Sequence, residues 1–261
     1  MKKKSILFIY PNMMLGGSTT SLLSILNSID YKKYTVDILF YNSRGQLAAY
    51  LPSEVTVLPF ACRYTSTKAI HLRKAVSLKS WISVYRGRVL AKKEQNPWIA
   101  DQYGSYDNVR YCRKLEKKYD IAISFLEFWP LYYLAEKVEA KRKIAWIHTD
   151  YAKLALEKDK EMQALEKLDK VVFISEDCKR DFLNLFSEEK EKAVVVENFL
   201  NERLIHTRSE EKVDFQTKES DINFITVCRI DFISKGLDRA LDVLCQLQKE
   251  KQLEKFHWYI I

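Results

Sequence analysis

Glycine is scarce in this chain, at six of 261 residues, and so is proline, at five. No segment is low in complexity and no repeat of solenoid length appears, which leaves out disordered and solenoid architectures. Cysteine is sparse as well. Cys62, Cys112, Cys178, Cys228 and Cys245 form no Cys-x-x-Cys pair and have no nearby histidine to complete a zinc set, so they read as reduced thiols in packing roles. The apolar run after Met1-Lys2-Lys3-Lys4 breaks at Pro11 and Asn12. It is too short for a signal peptide or a membrane span, and the expected location is the cytoplasm. Neither G-x-G-x-x-G nor a P-loop is present, which weakens dinucleotide and ATP readings.

What the chain does have is 47% hydrophobic residues, enough for a substantial core in one large or two modest domains, and a formal charge of +8. Much of the charge excess falls between Arg63 and Lys93. That stretch holds Lys68, Arg73, Lys74, Lys79, Arg86, Arg88, Lys92 and Lys93 and no acidic residue, interleaved with Ile70, Leu72, Val76, Trp81, Ile82, Tyr85 and Leu90. A basic amphipathic helix of this kind fits an anionic membrane surface, with Lys68, Arg73, Lys74 and Lys79 as contacts. It equally fits an ordinary helix with one face on a core. Nucleic acid is a third reading, which no helix-turn-helix, zinc-finger or RNP-type pattern accompanies.

Short apolar runs alternate with amphipathic ones. Strands are predicted over Ile6–Tyr10, Thr35–Tyr41, Val55–Leu58, Ile121–Phe125, Lys143–Ile147, Lys170–Ile174 and Ala193–Glu197. Helices are predicted over Thr19–Ser28, Ala69–Lys92, Asp107–Lys118, Pro130–Lys137, Ala155–Leu168 and Glu176–Leu185. Alternation of this kind favours parallel pairing with right-handed crossovers: an α/β, doubly wound sheet. After Asn201 the composition shifts. Residues 1–201 read as one domain and the charged stretch 202–221 as a linker. Residues 222–261 open a second unit, with strands over "NFITVC" and "FHWYII" flanking a helix at Leu237–Glu250.

Gly16 and Gly17 stand between the first strand and the first helix, in "GGSTTSLLSIL". Small residues before a helix N-terminus offer amides to a phosphate, with Ser18, Thr19 or Thr20 as caps. An ordinary strand-to-helix turn uses the same residues. Together with "IAWIHTD" at Ile144–Asp150, "DKVVFISEDCKRDF" at Asp169–Phe182, "VVENFLN" at Val195–Asn201 and "VCRIDFISKGLDRALDVL" at Val227–Leu244, this segment resembles the retaining GT-B glycosyltransferases of family four. The resemblance implies two facing Rossmann-like domains, the second represented here by its first βαβ portion. It implies transfer of a sugar from a nucleoside diphosphate sugar to a polysaccharide, glycolipid or lipid-linked acceptor, with no metal and no other cofactor. In that setting Arg229 and Lys235 would hold the donor diphosphate, Gly16 and Gly17 would meet the same phosphates, and His148 would act at the reacting sugar, with Asp150 as an acceptor-side or positioning neighbour.

This sequence departs from the family in ways that keep other readings open. The family's glutamate pair with seven intervening residues is expected after the second-unit strand, and here the chain stops at Ile261. Glu189 with Glu197, Glu202 with Glu210 and Glu211 with Glu219 share that spacing but precede the Arg229-to-Lys235 motif. The chain tested alone is therefore expected not to transfer sugar at a useful rate, and a partner chain supplying the missing half is a candidate to restore transfer. The alternatives are a non-catalytic, glycosyltransferase-like scaffold or accessory subunit and an anionic-surface binder; a nucleic-acid partner is not expected.

Overall fold

The computed structural model describes residues 2–41, 45–61, 78–198, 200, 202–210, 221–228, 230, 232–253 and 255–261. Two compact units divide it, Met1–His206 and Thr207–Ile261. Half of the stretch read as a linker, residues 211–220, lies outside the described residues, and its first part forms a helix, Glu202–Ser209.

The first unit is built on β1 (Lys4–Tyr10), β2 (Tyr34–Phe40), β3 (Val55–Val57), β4 (Tyr119–Ser124), β5 (Ala140–Ile147), β6 (Lys170–Phe173) and β7 (Ala193–Val195). They form one seven-stranded sheet in the order β3-β2-β1-β4-β5-β6-β7. Every pair is parallel. The chain winds outward from β1 to β3, then returns to the other side of β1 at β4. The sheet is thus doubly wound and Rossmann-like, with a topological switch point between β1 and β4.

The apolar runs make these strands because the sheet is covered on both faces. Side chains alternate across a strand. Ile6, Phe8 and Tyr10 therefore pack with Leu22, Leu23 and Leu26 of α1 (Gly17–Ser28), while Leu7 and Ile9 pack on the opposite face with Leu131, Tyr132 and Leu134 of α4 (Trp129–Lys137). Each fully buried leucine of α1 contributes about 2 kcal/mol.

Between β3 and β4 lie α2 (Leu78–Lys93) and α3 (Pro97–Tyr111). Residues 62–77, which include the first part (69–77) of the long basic helix expected over Ala69–Lys92, lie outside the described residues. The helix expected over Asp107–Lys118 is a correction: it starts at Pro97, capped by the Asn96 side chain, and ends at Tyr111. Beyond it Arg113 N donates to Ala61 O and Leu115 N to Lys137 O, so tertiary backbone bonds outweigh the helical pattern. The helix expected over Ala155–Leu168 is two, α5 (Tyr151–Leu154) and α6 (Lys158–Leu165), separated by Ala155 at φ 43°. Then come α7 (Glu176–Leu185), as expected, and α8 (Glu202–Ser209). No helix among the described residues is long and apolar enough to cross a membrane.

The second unit pairs β8 (Ile222–Thr226) with β9 (Phe256–Ile260) in parallel. Between them run α9 (Phe232–Lys235) and the amphipathic α10 (Leu237–Lys249), whose Leu237 and Leu244 are buried. This is one βαβ portion, as the pattern from Asn223 predicts.

Candidate functional site

Three loops meet at the carboxyl edge of the first-unit sheet, after β1, β4 and β5, the edge at which open parallel sheets bind ligands. The first carries Gly16 and Gly17. Gly16 has φ 169°, ordinary extended backbone, and a Cβ built at either glycine would meet nothing within 4 Å. Neither glycine adopts a left-handed backbone, and the space beside the pair is open.

The expected capping is also corrected. No side chain caps α1, because the Tyr10 hydroxyl takes Ser18 Oγ at 2.7 Å and Thr19 Oγ1 at 3.0 Å, while Thr20 Oγ1 donates back to Gly16 O. Helix geometry leaves the first-turn amides without an intrahelical acceptor. The loop is held from its far side by Gly45. At φ 81° its α-carbon lies against the Met13 backbone, which a Cβ would approach to 2.4 Å. Asn198, from the "VVENFLN" segment, receives the Ser21 hydroxyl at 2.7 Å.

The second loop follows β4 and was not singled out by sequence. Glu127 is buried, and its Oε1 accepts from His148 N at 2.5 Å and from Thr149 N at 2.6 Å. Burial pushes its carboxyl above the ordinary range, against the lowering by these amides. Phe128 follows at φ 59°, a region unfavourable to a side-chain-bearing residue, and stacks on Trp98. The only sequence signal was one acid inside an aromatic run, "FLEFWP".

The third loop presents His148. Its ring packs on Phe125, centroid to centroid 4.7 Å, and Phe125 in turn lies 6.3 Å from the Tyr10 ring. One aromatic contact path therefore runs from His148 to the start of α1. Burial holds the imidazole pKa down to about 4, so the ring is neutral at pH 7. Its Nε2 is buried with no hydrogen-bond partner among the described residues. Asp150 has a different occupation: Oδ1 caps α5 by accepting from Ala152 N at 2.9 Å, and Oδ2 lies 3.4 Å from Lys153 Nζ.

Behind this loop Glu161 is wholly buried. It accepts from Tyr132 Oη at 2.6 Å, Gln102 Nε2 at 2.9 Å and Tyr151 Oη at 2.9 Å. Burial raises its carboxyl above the ordinary range, the three donors opposing.

In the second unit Lys235 is exposed at the end of α9 and lines a cavity of about 530 Å³ with Thr226, Arg239 and Trp258. Arg239 is a second cation there that the sequence pattern did not flag. Arg229 lies outside the described residues, as do Lys68, Arg73 and Lys74; Lys79 sits on α2. The structure thus brings Gly16, Gly17, His148 and Asp150 to one edge of one sheet. Among the described residues no group of three or more His, Cys, Asp or Glu side chains is arranged to hold a metal.

A larger cavity, about 990 Å³, opens at the opposite, amino edge and is lined by Lys3, Lys117, Lys118, Asp120, Glu139 and Lys141. Its charges are mutually engaged: Lys141 pairs with Asp120 at 2.7 Å, Lys118 with Glu139 at 3.0 Å and Lys117 with Asp37 at 2.7 Å. Asp120 and Glu139 are held down to about 2 by Lys141 and by Lys114 with Lys118, respectively. The switch-point edge, with an unpartnered polar atom and open space, is the better site.

The fold defines a doubly wound α/β protein with a candidate site at the switch-point edge. No known protein family matches the sequence, and no curated protein matches it. Among solved structures it is similar to Anabaena Alr3699/HepE in complex with UDP and glucose, at 12% identity and a TM-score of 0.48, covering 99% of this chain and 70% of that one. A putative UDP-N-acetylglucosamine 2-epimerase from Listeria monocytogenes gives 10% identity and a TM-score of 0.44, with 100% and 63% covered. Phytolacca americana UGT2 complexed with UDP-2fluoro-glucose and pterostilbene gives 9% and 0.36, with 95% and 65% covered. The chain thus spans 63–70% of the length of these proteins.

Proposed function

We propose that the protein is a GT-B glycosyltransferase of the family-four type, acting on a nucleoside diphosphate sugar and retaining the configuration of the transferred sugar. The acceptor is a glycan or a lipid-linked saccharide. In the reaction the bond from the sugar's anomeric carbon to the diphosphate oxygen breaks, one from that carbon to the acceptor oxygen forms on the same face, and the hydroxyl proton passes to the departing phosphate. Negative charge grows on the departing phosphate. In the first unit the open first-turn amides after Gly16 and Gly17 are the groups assigned to meet that charge.

The observation that carries the reading is His148. A buried imidazole, neutral, with an unpartnered Nε2 on the loop after β5, at the same sheet edge as the glycine loop, is suited to accept a hydrogen bond from a sugar hydroxyl and orient it. Asp150, on this reading, sets the loop by capping α5.

The test is incorporation of label from a panel of UDP- and GDP-sugars into glycan and lipid fractions, using the purified chain alone and with extract of the producing cell. Label should enter from one donor in the presence of extract, and His148→Ala should reduce it by roughly 100-fold or more. The rate should show no step from His148 between pH 5 and 8, since its titration lies near 4. No incorporation from any donor, or a His148→Ala variant as competent as the wild type, would replace this reading by a non-catalytic accessory role.

A further inference from the structure

The outward face of α2 has no part in the site described above. Ser80 and Gly87 turn inward, and Gly87 lets the helix approach α3 so closely that a Cβ there would fall 2.5 Å from Tyr103 Cβ. Leu78, Trp81, Ile82, Tyr85 and Val89 share the opposite face at helical spacing. They are 74%, 62%, 56%, 60% and 46% exposed, respectively. Trp81 and Tyr85 stack on each other, 6.1 Å between centroids and 8° between planes, rather than against the body of the protein.

Cations border this stripe on both sides. Arg88 and Lys92 lie along one margin and Lys79, Arg86 and Lys93 along the other, all exposed, and α2 contains no acidic residue. On the Lys79 side the positive margin continues into a cavity of about 440 Å³, where Arg110 and Lys160 join Arg86 against Glu157 and Asp159. Arg86 is 3.4 Å from Glu157, a partial neutralisation of that margin only. The sequence immediately before α2 adds Lys68, Arg73 and Lys74 and still no acid after Arg63.

We propose that this face of α2 docks on an anionic lipid bilayer, with Trp81, Ile82, Tyr85 and Val89 entering the headgroup region and the flanking cations meeting lipid phosphates. Stacked tryptophan and tyrosine rings bordered by arginine and lysine suit an interface that is apolar below and negatively charged above. A second copy of the chain fits poorly, because an isologous contact would set one row of cations against its twin. The inference does not depend on the transfer reaction, and α3, on which α2 lies, reaches the carboxyl edge through the Trp98 contact with Phe128.

Full-length protein should be titrated with vesicles of phosphatidylcholine alone and of phosphatidylcholine with phosphatidylglycerol at 3:1, by co-sedimentation and tryptophan emission. Partitioning to the anionic vesicles should be at least tenfold stronger, with a blue shift, and should weaken as salt is raised. Trp81→Ser/Ile82→Ser/Tyr85→Ser should lose tenfold or more of it with melting temperature unchanged, since those side chains are exposed. Arg88→Gln/Lys92→Gln should lower the preference for anionic vesicles by about tenfold while leaving residual binding to neutral ones. Millimolar glycerol 1-phosphate should displace little protein, marking a surface rather than a free phosphate as the ligand. Equal binding to both vesicles, an unaffected triple variant, displacement by glycerol phosphate, or self-association without vesicles that the triple variant abolishes would overturn the proposal. Retention on duplex DNA stronger than on anionic vesicles would do the same.

Discussion

Replacing Glu161 by alanine should lower the unfolding free energy by roughly 4 kcal/mol and the melting temperature by roughly 10 °C. The carboxylate is the common acceptor for Tyr132, Tyr151 and Gln102, which come from α4, α5 and α3, respectively. Removing it strands three buried donors, each costing about 1–3 kcal/mol, less the relief of no longer burying a carboxyl. Glu161→Gln keeps an acceptor and should cost about 1–2 kcal/mol. The pH dependence separates the two effects. Because burial raises the carboxyl of Glu161 above its unfolded value, its favourable contribution is complete below the ordinary carboxylate range and is lost as pH rises through the raised one. The advantage of wild type over Glu161→Gln should therefore shrink on going from pH 4 to pH 8. An advantage that grows over that range would show that the carboxylate is stabilised by a charge, not penalised by burial. Chemical denaturation at several pH values makes the measurement.

Glu127→Ala should act on both stability and the site. Its Oε1 is the acceptor for two consecutive amides, His148 N and Thr149 N, and their loss of a partner costs roughly 2–4 kcal/mol. The loop that presents the imidazole is then free to move outward. His148 titrates near 4 only because it is buried, so its NMR titration should climb toward 6.5 in Glu127→Ala and stay near 4 in Glu127→Gln, which retains an oxygen for both amides. If the proposed transfer reaction is correct, activity should fall with the first variant and largely survive the second. An unchanged His148 titration in Glu127→Ala would show that the aromatic contacts alone hold the ring.

The contrast between these residues and the strands shows what sequence can carry. The seven described strands of the first unit could be read because a parallel sheet covered on both faces demands near-continuous apolar runs, as in Ile6–Tyr10 and Thr35–Tyr41, and the structure differs only at their ends. His148 and the glycine pair were legible through position, since topology alone sends the ends of β1 and β5 to one edge. Glu127 was not. Its partners are backbone amides about 20 positions away, and amides leave no mark in the composition. The same limit explains α3, whose end at Tyr111 is set by the carbonyls of Ala61 and Lys137. Ser18, Thr19 and Thr20 fit a capping pattern, but a tyrosine hydroxyl from the preceding strand competes for two of them.

The empty space beside Gly16 and Gly17 has a thermodynamic corollary. Nothing in the folded chain would collide with a methyl group at position 17, and that residue lies in the first turn of a helix. Alanine there should raise stability by roughly 0.5–1 kcal/mol, because it restricts the unfolded backbone and favours the helix. The wild-type residue is thus a concession of stability that packing does not require, and on the proposed function it leaves the backbone open to the donor phosphates. Gly17→Ala should melt higher than wild type while binding nucleoside diphosphate less well, two effects of opposite sign from a single added carbon.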